Sequence, residues 1–248
     1  MASTPSTIIF VPGAWHTTKC YDIVIGKLQD AGYTGKLIRC ELPSVGAEPG
    51  SPAMWSMVLD IKAIEDAIAH EVDSNTPVLL VAHSYGSVPA SCAIKKFADS
   101  GMVKFCIVAG FMLEFAESMI SWCGGVPPPL WRREGDYVYP NNPEEAFYND
   151  LPEDMQKELL GELRSHSYAT KMFPATFEGW AVVPTTFVSC TKDNAVPLFL
   201  QDGMIDRAKA RGINVNIERV NSGHSVMLSQ PDQLLRIIKS MTGMADSK

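Results

Sequence analysis

The sequence predicts an α/β fold: a mostly parallel sheet with helices on both faces and an inserted helical cap. Short runs that are apolar along their whole length alternate with segments of helical periodicity. This alternation is typical of parallel strands that are buried on both faces. It stops at residue 112 and resumes after residue 180. We therefore expect a core formed by residues 1–111 and 181–248, and a helical cap formed by residues 112–180.

The predicted strands are apolar or alternating runs that end at a turn residue. In chain order they are Ile8–Val11, Lys36–Leu42, Pro77–Ala82, Val103–Phe111, Thr185–Cys190 and Ile213–Ile217. The predicted helices carry apolar residues at spacings of three and four, or begin and end at typical stop residues. Those of the core are Tyr21–Ala31, Met57–Glu71, Ser87–Phe97, Leu198–Ala210 and Pro231–Thr242.

The insertion at residues 112–180 shows no strand-like run. It holds a proline-rich break at residues 126–129, an aromatic stretch at 131–139, and two predicted helices at 143–148 and 152–163. It is too long for a plain connection in a compact domain. We therefore expect a helical unit that folds over one edge of the sheet.

Composition and charge argue against several classes of function. The 248 residues are 46% hydrophobic and 20% charged, which is ordinary for a soluble globular protein. No apolar run approaches the roughly 20 residues of a membrane-spanning helix. The net charge is −7 with no basic stripe, which disfavours nucleic-acid binding. With no secretory signal and no CxxC pair among six cysteines, we expect reduced thiols and a cytoplasmic location.

A nucleophile elbow is predicted at residues 82–86, where a buried strand runs into the sequence AHSYG and a helix follows. An elbow needs small residues two positions before and two positions after its serine, so that neighbouring chain segments can pass closely. Ala82 and Gly86 flank Ser84 in this way, although the usual motif has glycine in the first position. The alternative role for Ser84 is a helix N-cap.

A serine nucleophile needs a base, and His224 is the best candidate because it lies in a loop after the last predicted strand. The other histidines are His16, His70, His83 and His166. The acid expected to orient His224 is Asp193, which follows the strand ending at Cys190, with Glu114 or Glu117 as the fallback. The chain order serine, aspartate, histidine is the order that this kind of catalytic triad takes.

Acyl transfer also needs N–H donors for the developing oxyanion. The backbone of Tyr85, directly after the serine, supplies one. The turn after the first strand supplies the second from Ala14, with Trp15 as the near alternative, because Pro12 has no N–H and Gly13 permits a tight turn. The sequence has neither zinc-ligand spacing nor a G-x-G-x-x-G motif after a strand, so we expect no metal and no cofactor.

Together these residues resemble the α/β-hydrolase superfamily, and within it the group of plant methyl-ester esterases, hydroxynitrile lyases and their microbial relatives. The resemblance covers the whole chain. It rests on the turn at 13–16, the elbow at 82–86, the acid loop at 190–193 with Pro197, and the base loop at 223–224 with Pro231. It departs from the group's pattern at Pro12, where a histidine is usual. In this group the insertion is a helical cap that shapes the pocket.

The resemblance favours the hydrolytic branch of the group. Its hydroxynitrile lyases have a threonine in the oxyanion turn and a lysine just after the base, whereas this chain has Gly13 and Ser225. The residue before the nucleophile is His83, as in the esterases, rather than the acidic residue of some lyases.

The leading hypothesis is a serine esterase that cleaves a carboxylic ester of a small, largely apolar substrate through an acyl-enzyme. The candidate substrate-binding residues are Trp15, His16, His83 and Trp131. A free acid would find no obvious charged partner unless Arg132 or Arg133 supplies one. The alternatives are thioester or lactone hydrolysis, a lyase or cyclase reaction, and a receptor-like hydrolase without turnover. The expected partner is a small-molecule substrate, and we expect binding neither to nucleic acid nor to a membrane. The sequence leaves open whether the protein forms a homodimer.

Overall fold

The computed structural model describes residues 6–46 and 52–244. The predicted absence of a secretory signal falls partly on residues 1–5, which lie outside the described residues. The strands are β1 Thr7–Val11, β2 Lys36–Arg39, β3 Val78–His83, β4 Val103–Val108, β5 Trp131–Glu134, β6 Tyr137–Pro140, β7 His166–Ser167, β8 Thr185–Cys190 and β9 Val215–Val220. The α-helices are α1 Asp22–Asp30, α2 Val58–Val72, α3 Ser87–Ala93, α4 Met119–Trp122, α5 Pro143–Phe147, α6 Glu153–Leu160, α7 Ala169–Met172, α8 Gly179–Val182, α9 Leu198–Ala210, α10 Val226–Ser229 and α11 Pro231–Thr242.

The main sheet has six strands in the order β2-β1-β3-β4-β8-β9, and all of its pairs are parallel. Strands β1 and β3 are buried along their whole length, which accounts for their uninterrupted apolar sequences. The connection from β1 leads to one side of the sheet, and the connection from β3 leads to the other. Because such crossovers are right-handed, α1 and α3 lie on opposite faces. The predicted parallel α/β fold is confirmed.

Several boundaries differ from the sequence prediction. β4 ends at Val108 rather than at Phe111, because the next residue, Ala109, has a φ of 46° and leaves the extended conformation. β9 covers residues 215–220 rather than 213–217. The helix after the elbow keeps α-helical geometry only to Ala93, and a 3-10 helix continues over Ile94–Ser100.

The insertion at residues 112–180 departs from the prediction of a purely helical unit. Besides short helices, it contains a three-stranded antiparallel sheet in the order β5-β6-β7. A two-residue turn joins β5 to β6, and its first residue, Gly135, has a φ of 59°, as tight hairpins require. The expectation of an insertion without strands is therefore wrong. Its aromatic stretch at 131–139 forms this hairpin.

All six cysteines are free, and five of them are buried while Cys123 is partly exposed. Within the part of the chain that the structure describes, no helix has the length and apolar character needed to cross a membrane.

Helix α8 crosses α3 at Gly179, where a Cβ atom would lie 2.4 Å from the Ser91 carbonyl oxygen and 2.7 Å from Ile94 Cβ. We expect Gly179→Ala to lower the free energy of unfolding by about 1–3 kcal/mol through overpacking. The matched control is Gly26→Ala in α1, where a Cβ would meet nothing within 4 Å. Alanine at that position should raise the free energy of unfolding by about 0.5–1 kcal/mol. Urea unfolding of both variants tests the crossing, and a Gly179→Ala protein as stable as the wild type would contradict it.

Candidate active site

The candidate site forms where β1 and β3 end side by side. Their following connections run in opposite directions across the sheet, which opens a crevice at the carboxyl ends of the two strands. Residues 12–16 follow β1, and the 3-10 helix Ser84–Gly86 follows β3. The residues predicted to carry the chemistry therefore lie at the switch point of the sheet.

The elbow has a strained backbone and leaves no space for larger residues. Ser84 has a φ of 49°, which is uncommon for a residue other than glycine. A Cβ on Gly86 would lie 2.2 Å from the Pro12 carbonyl oxygen, so only glycine fits there. The Ser84 hydroxyl does not cap the following helix, and the residue lines a cavity instead. The structure therefore does not support the N-cap alternative for Ser84.

The turn after β1 packs directly against the elbow. A Cβ on Gly13 would lie 2.9 Å from His83 Nδ1 and 3.0 Å from Ser84 Cβ. Ala14 and Trp15 follow and line the cavity, with Trp15 at a φ of 64°. The N–H of Tyr85 lies in the first turn of a helix, where backbone donors have no partner within the helix. Both predicted oxyanion donors are therefore on turns that flank Ser84.

The predicted base and acid are in contact. His224 Nδ1–H donates to Asp193 Oδ2 at 2.8 Å, and both side chains are buried. The other carboxylate oxygen of Asp193 accepts hydrogen bonds from the N–H groups of Ala195 and Val196, each at 2.8 Å. These bonds fix the carboxylate so that it orients the imidazole.

The fallback acids have other partners. Glu117 pairs with Arg207 at 2.6 Å, and Glu114 lies 3.3 Å from Arg211. Both carboxylates therefore neutralise arginines of α9 and its C-terminal end rather than the histidine.

His83 connects the base loop to the elbow. Its Nε2–H donates to the His224 carbonyl oxygen at 3.1 Å, and the two rings lie 4.5 Å apart. Burial, together with the nearby His224 and His16, lowers the pKa of His83 well below the usual value, so the ring is neutral. The Ser84 hydroxyl makes no hydrogen bond to a described residue. Catalytic hydrogen bonds are often incomplete without substrate.

The insertion holds the acid and base loops in place. Asn149 Nδ2 donates to the carbonyl oxygen of Lys192 at 2.9 Å, and Asp150 Oδ2 accepts from the N–H of Gly223 at 2.6 Å. A Cβ on Gly223 would lie 2.2 Å from Asn149 Oδ1. Neither Asn149 nor Asp150 carries a local signal in the sequence, because its role depends on a contact between distant parts of the chain.

His16 connects the oxyanion turn to the insertion. Its Nδ1–H donates to the Ala14 carbonyl oxygen at 2.7 Å, and the Tyr148 hydroxyl donates to its Nε2 at 2.9 Å. Burial lowers the pKa of His16 to about 4. A neutral ring is what this pair of hydrogen bonds requires.

The cavity beside Ser84 has a volume of about 320 Å³. Its lining is neutral and largely apolar, and consists of Ala14, Trp15, Ser84, Phe111, Met119, Cys123, Pro128, Pro129, Leu130, Trp131, Phe147, Asn194, Ala195, Val196, Pro197 and Leu200. Of the predicted substrate-binding residues, Trp15 and Trp131 line this cavity, whereas His16 and His83 do not.

The two arginines considered as partners of a free acid do not line the cavity. Arg132 pairs with Glu134, and the guanidinium of Arg133 lies 4.2 Å from the ring centre of Tyr168. Across residues 6–46 and 52–244, no three His, Cys, Asp or Glu side chains come together in a group that could hold a metal ion.

A second buried polar cluster lies behind the cavity wall. It consists of Ser44, Asp60, Tyr85, His166 and Lys171. One residue of this cluster could be recognised in the sequence. Asp60 precedes Ile64 and Ile68 at the helical spacing of four, which places its carboxylate on the buried face of α2. His166, one of the histidines considered beside His224, belongs to this cluster rather than to the pair of base and acid.

Residues 8–237 match the model of the alpha/beta hydrolase family. The chain is 27% identical to "Alpha/beta hydrolase nvfD" of Aspergillus novofumigatus, covering 96% of this chain and 97% of that protein. It is 28% identical to "Methylesterase 1" of Arabidopsis thaliana, covering 91% and 92% of the two chains.

A solved structure of polyneuridine aldehyde esterase superimposes with a TM-score of 0.77. The sequences are 13% identical, and the superposition covers 96% of this chain and 99% of that chain. At this identity the similarity establishes the fold.

The neutral state of His16 makes a prediction about acid stability. Its folded-state pKa of about 4 lies below the ordinary value of 6.5, so the unfolded state binds more protons between these pH values. The free energy of unfolding should therefore fall as the pH is lowered from 6.5 to 4. In His16→Gln, the decrease in the free energy of unfolding over this pH range should be smaller than in the wild type, by at most about 3 kcal/mol.

Urea unfolding at several pH values measures this slope, while the stability at pH 7 reports the unrelated cost of the substitution. Equal slopes in wild type and variant would show that His16 is not held neutral.

Proposed function

The chain belongs to the alpha/beta hydrolase family, and we propose that it is a serine hydrolase that cleaves a carboxylic ester. The observation that carries the proposal is the buried pair of His224 and Asp193, joined through His83 to the elbow that presents Ser84 to an apolar cavity. A serine becomes a nucleophile when such a base takes its proton.

In the proposed mechanism, Ser84 Oγ attacks the ester carbonyl while its proton passes to His224 Nε2. Asp193 holds the tautomer of His224 and stabilises the imidazolium. The N–H groups of Ala14 and Tyr85 bind the oxyanion of the tetrahedral intermediate. The imidazolium then gives its proton to the leaving alcohol, which yields the acyl-enzyme. Water, activated by His224, adds to the acyl group and releases the acid and Ser84.

The cavity supports a small, neutral and largely apolar substrate. No charged side chain lines it, and its volume of about 320 Å³ lies at the lower end of ordinary ligand pockets. Met119, Leu130, Trp131 and Phe147 of the insertion contribute to the lining. We therefore propose that residues 112–180 act as a cap that selects the substrate.

The first test is covalent labelling of the nucleophile. We expect a fluorophosphonate to add once to the wild-type protein and not at all to Ser84→Ala, because only a serine beside a base reacts at a useful rate. Intact mass spectrometry of both proteins measures this. The matched control is Ser100→Ala, at the exposed end of the 3-10 helix Ile94–Ser100, which should be labelled like the wild type.

Absence of labelling in folded wild type would contradict the proposal. Ester turnover that survives in Ser84→Ala would point to a reaction that forms no acyl-enzyme.

The second test concerns substrate charge. We expect the methyl ester of a medium-chain acid to be hydrolysed with a kcat/KM at least tenfold higher than the half-ester of a dicarboxylic acid of equal length. The reason is that an ionised carboxylate would lose its hydration in a cavity without a charged partner. Steady-state kinetics of the two esters measure the ratio, and equal values would show that a cation reaches the substrate.

A further inference from the structure

A buried lysine lies directly behind the cavity wall, and the proposed mechanism does not use it. Lys171, in α7 of the insertion, is fully buried. Its Nζ lies 4.2 Å from the ring centre of Tyr85, 4.9 Å from that of Trp15 and 5.5 Å from that of Trp131. Aromatic faces attract a cation at these distances. Burying an ammonium group is nevertheless costly, and it calls for further partners.

Those partners form a continuous chain of hydrogen bonds. Lys171 Nζ donates to His166 Nδ1 at 2.7 Å, and His166 Nε2–H donates to Ser44 Oγ at 2.9 Å. The Ser44 hydroxyl donates to Asp60 Oδ2 at 2.6 Å. The tautomer of His166 follows from these neighbours, since its Nδ1 accepts from Lys171 Nζ. The chain therefore joins the amino group of Lys171 in the insertion to the carboxyl group of Asp60 in the core.

The same carboxylate holds the residue after the nucleophile. The Tyr85 hydroxyl donates to Asp60 Oδ2 at 2.6 Å, while the ring of Tyr85 covers Lys171. Burial raises the pKa of Asp60 and lowers the pKa of Lys171 well below its usual value. Attraction between the two charges offsets part of this desolvation cost. The side chain of Tyr85 is thus fixed at both its hydroxyl and its ring.

The turn that carries the other oxyanion donor is fixed in a similar way. The Trp15 ring faces Lys171, its indole N–H donates to the Val138 carbonyl oxygen at 2.8 Å, and its own carbonyl accepts from the N–H of Arg164 at 2.9 Å. Trp15 and Ser84 both have positive φ values. Such conformations persist only where the surroundings hold them.

We infer that Lys171 is a positioning residue, which through Tyr85 and Trp15 holds the two turns that carry the oxyanion donors. This inference rests on the proposed function, since it assigns Lys171 a role in the same reaction. Lys171 itself touches neither the cavity nor the reacting atoms. Its loss would leave His166 Nδ1 without a donor and the rings of Tyr85 and Trp15 without the cation between them.

The test is Lys171→Met, which keeps a long side chain and removes the amino group. With p-nitrophenyl butyrate as substrate, we expect kcat to fall about tenfold or more while KM changes less than about twofold. The loss should approach but not exceed the effect of removing a single oxyanion donor, about 10²–10³ in kcat. KM should change little because Lys171 is not part of the cavity lining, which the variant leaves unchanged.

Further variants separate positioning from stability. Glu71→Gln is the matched control. Like Asp60, Glu71 is a buried carboxylate that accepts a hydrogen bond from a hydroxyl group, in its case that of Thr7, but it lies away from the site. It should lower the melting temperature without changing kcat. Tyr85→Phe should lower kcat, and its effect combined with Lys171→Met should be smaller than the product of the single effects. If Lys171→Met does not fold, Asp60→Asn and Tyr85→Phe test the same hydrogen-bond chain.

A second readout does not depend on turnover. In protein labelled with 15N-alanine and 15N-tyrosine, the backbone N–H signals of Ala14 and Tyr85 should shift in Lys171→Met and stay in place in Glu71→Gln. Unchanged kcat and unchanged amide signals would overturn the inference. A wild type that resists the fluorophosphonate would defeat the proposed function instead, and the amide shifts would still decide whether Lys171 positions the two turns.

Discussion

The turn after β1 and the elbow after β3 pack against each other with no space for side chains between them, and the geometry of the site depends on this contact. A Cβ on Gly13 would meet Ser84, and a Cβ on Gly86 would meet the backbone of Pro12. The contact follows from the parallel pairing of β1 with β3, which brings both carboxyl ends to the same level. Each positive φ costs roughly 1–3 kcal/mol. The fully buried strands supply the rigid base that makes this strain tolerable.

The insertion contributes to the site from several sides. It supplies part of the cavity lining, it binds the acid and base loops through Asn149 and Asp150, and it holds the oxyanion turn through Val138 and Arg164. A segment that only covered a pocket would not need hydrogen bonds to three separate loops of the core. Movement of the insertion as a rigid lid would break these bonds, so exchange of substrate and product is better served by small movements of the cavity rim.

The core and the triad candidates could be predicted from the sequence because their signals are local. Ser84 directly follows β3, and Asp193 lies in the loop just after β8. The ends of parallel strands place such residues at one edge of the sheet. The small sheet of the insertion was missed because β7 has only two residues, too few for any pattern. The polar cluster around Lys171 was missed because Ser44, Asp60, Tyr85 and His166 come from four separate segments. Only Asp60, a carboxylate on the buried face of α2, marked the cluster in the sequence.

The charges of the site are arranged in two layers. The layer that faces the substrate is neutral, whereas Lys171 and Asp60 lie behind the rings of Trp15, Tyr85 and Trp131. A charge in the lining that paired with a remote charged group of a substrate would bind substrate and transition state alike, and would give little acceleration. A charge behind the wall cannot bind the substrate, but it can hold the donors that meet the oxyanion only as it forms. Selection of a neutral substrate and stabilisation of a negative transition state can therefore operate in the same cavity without opposing each other.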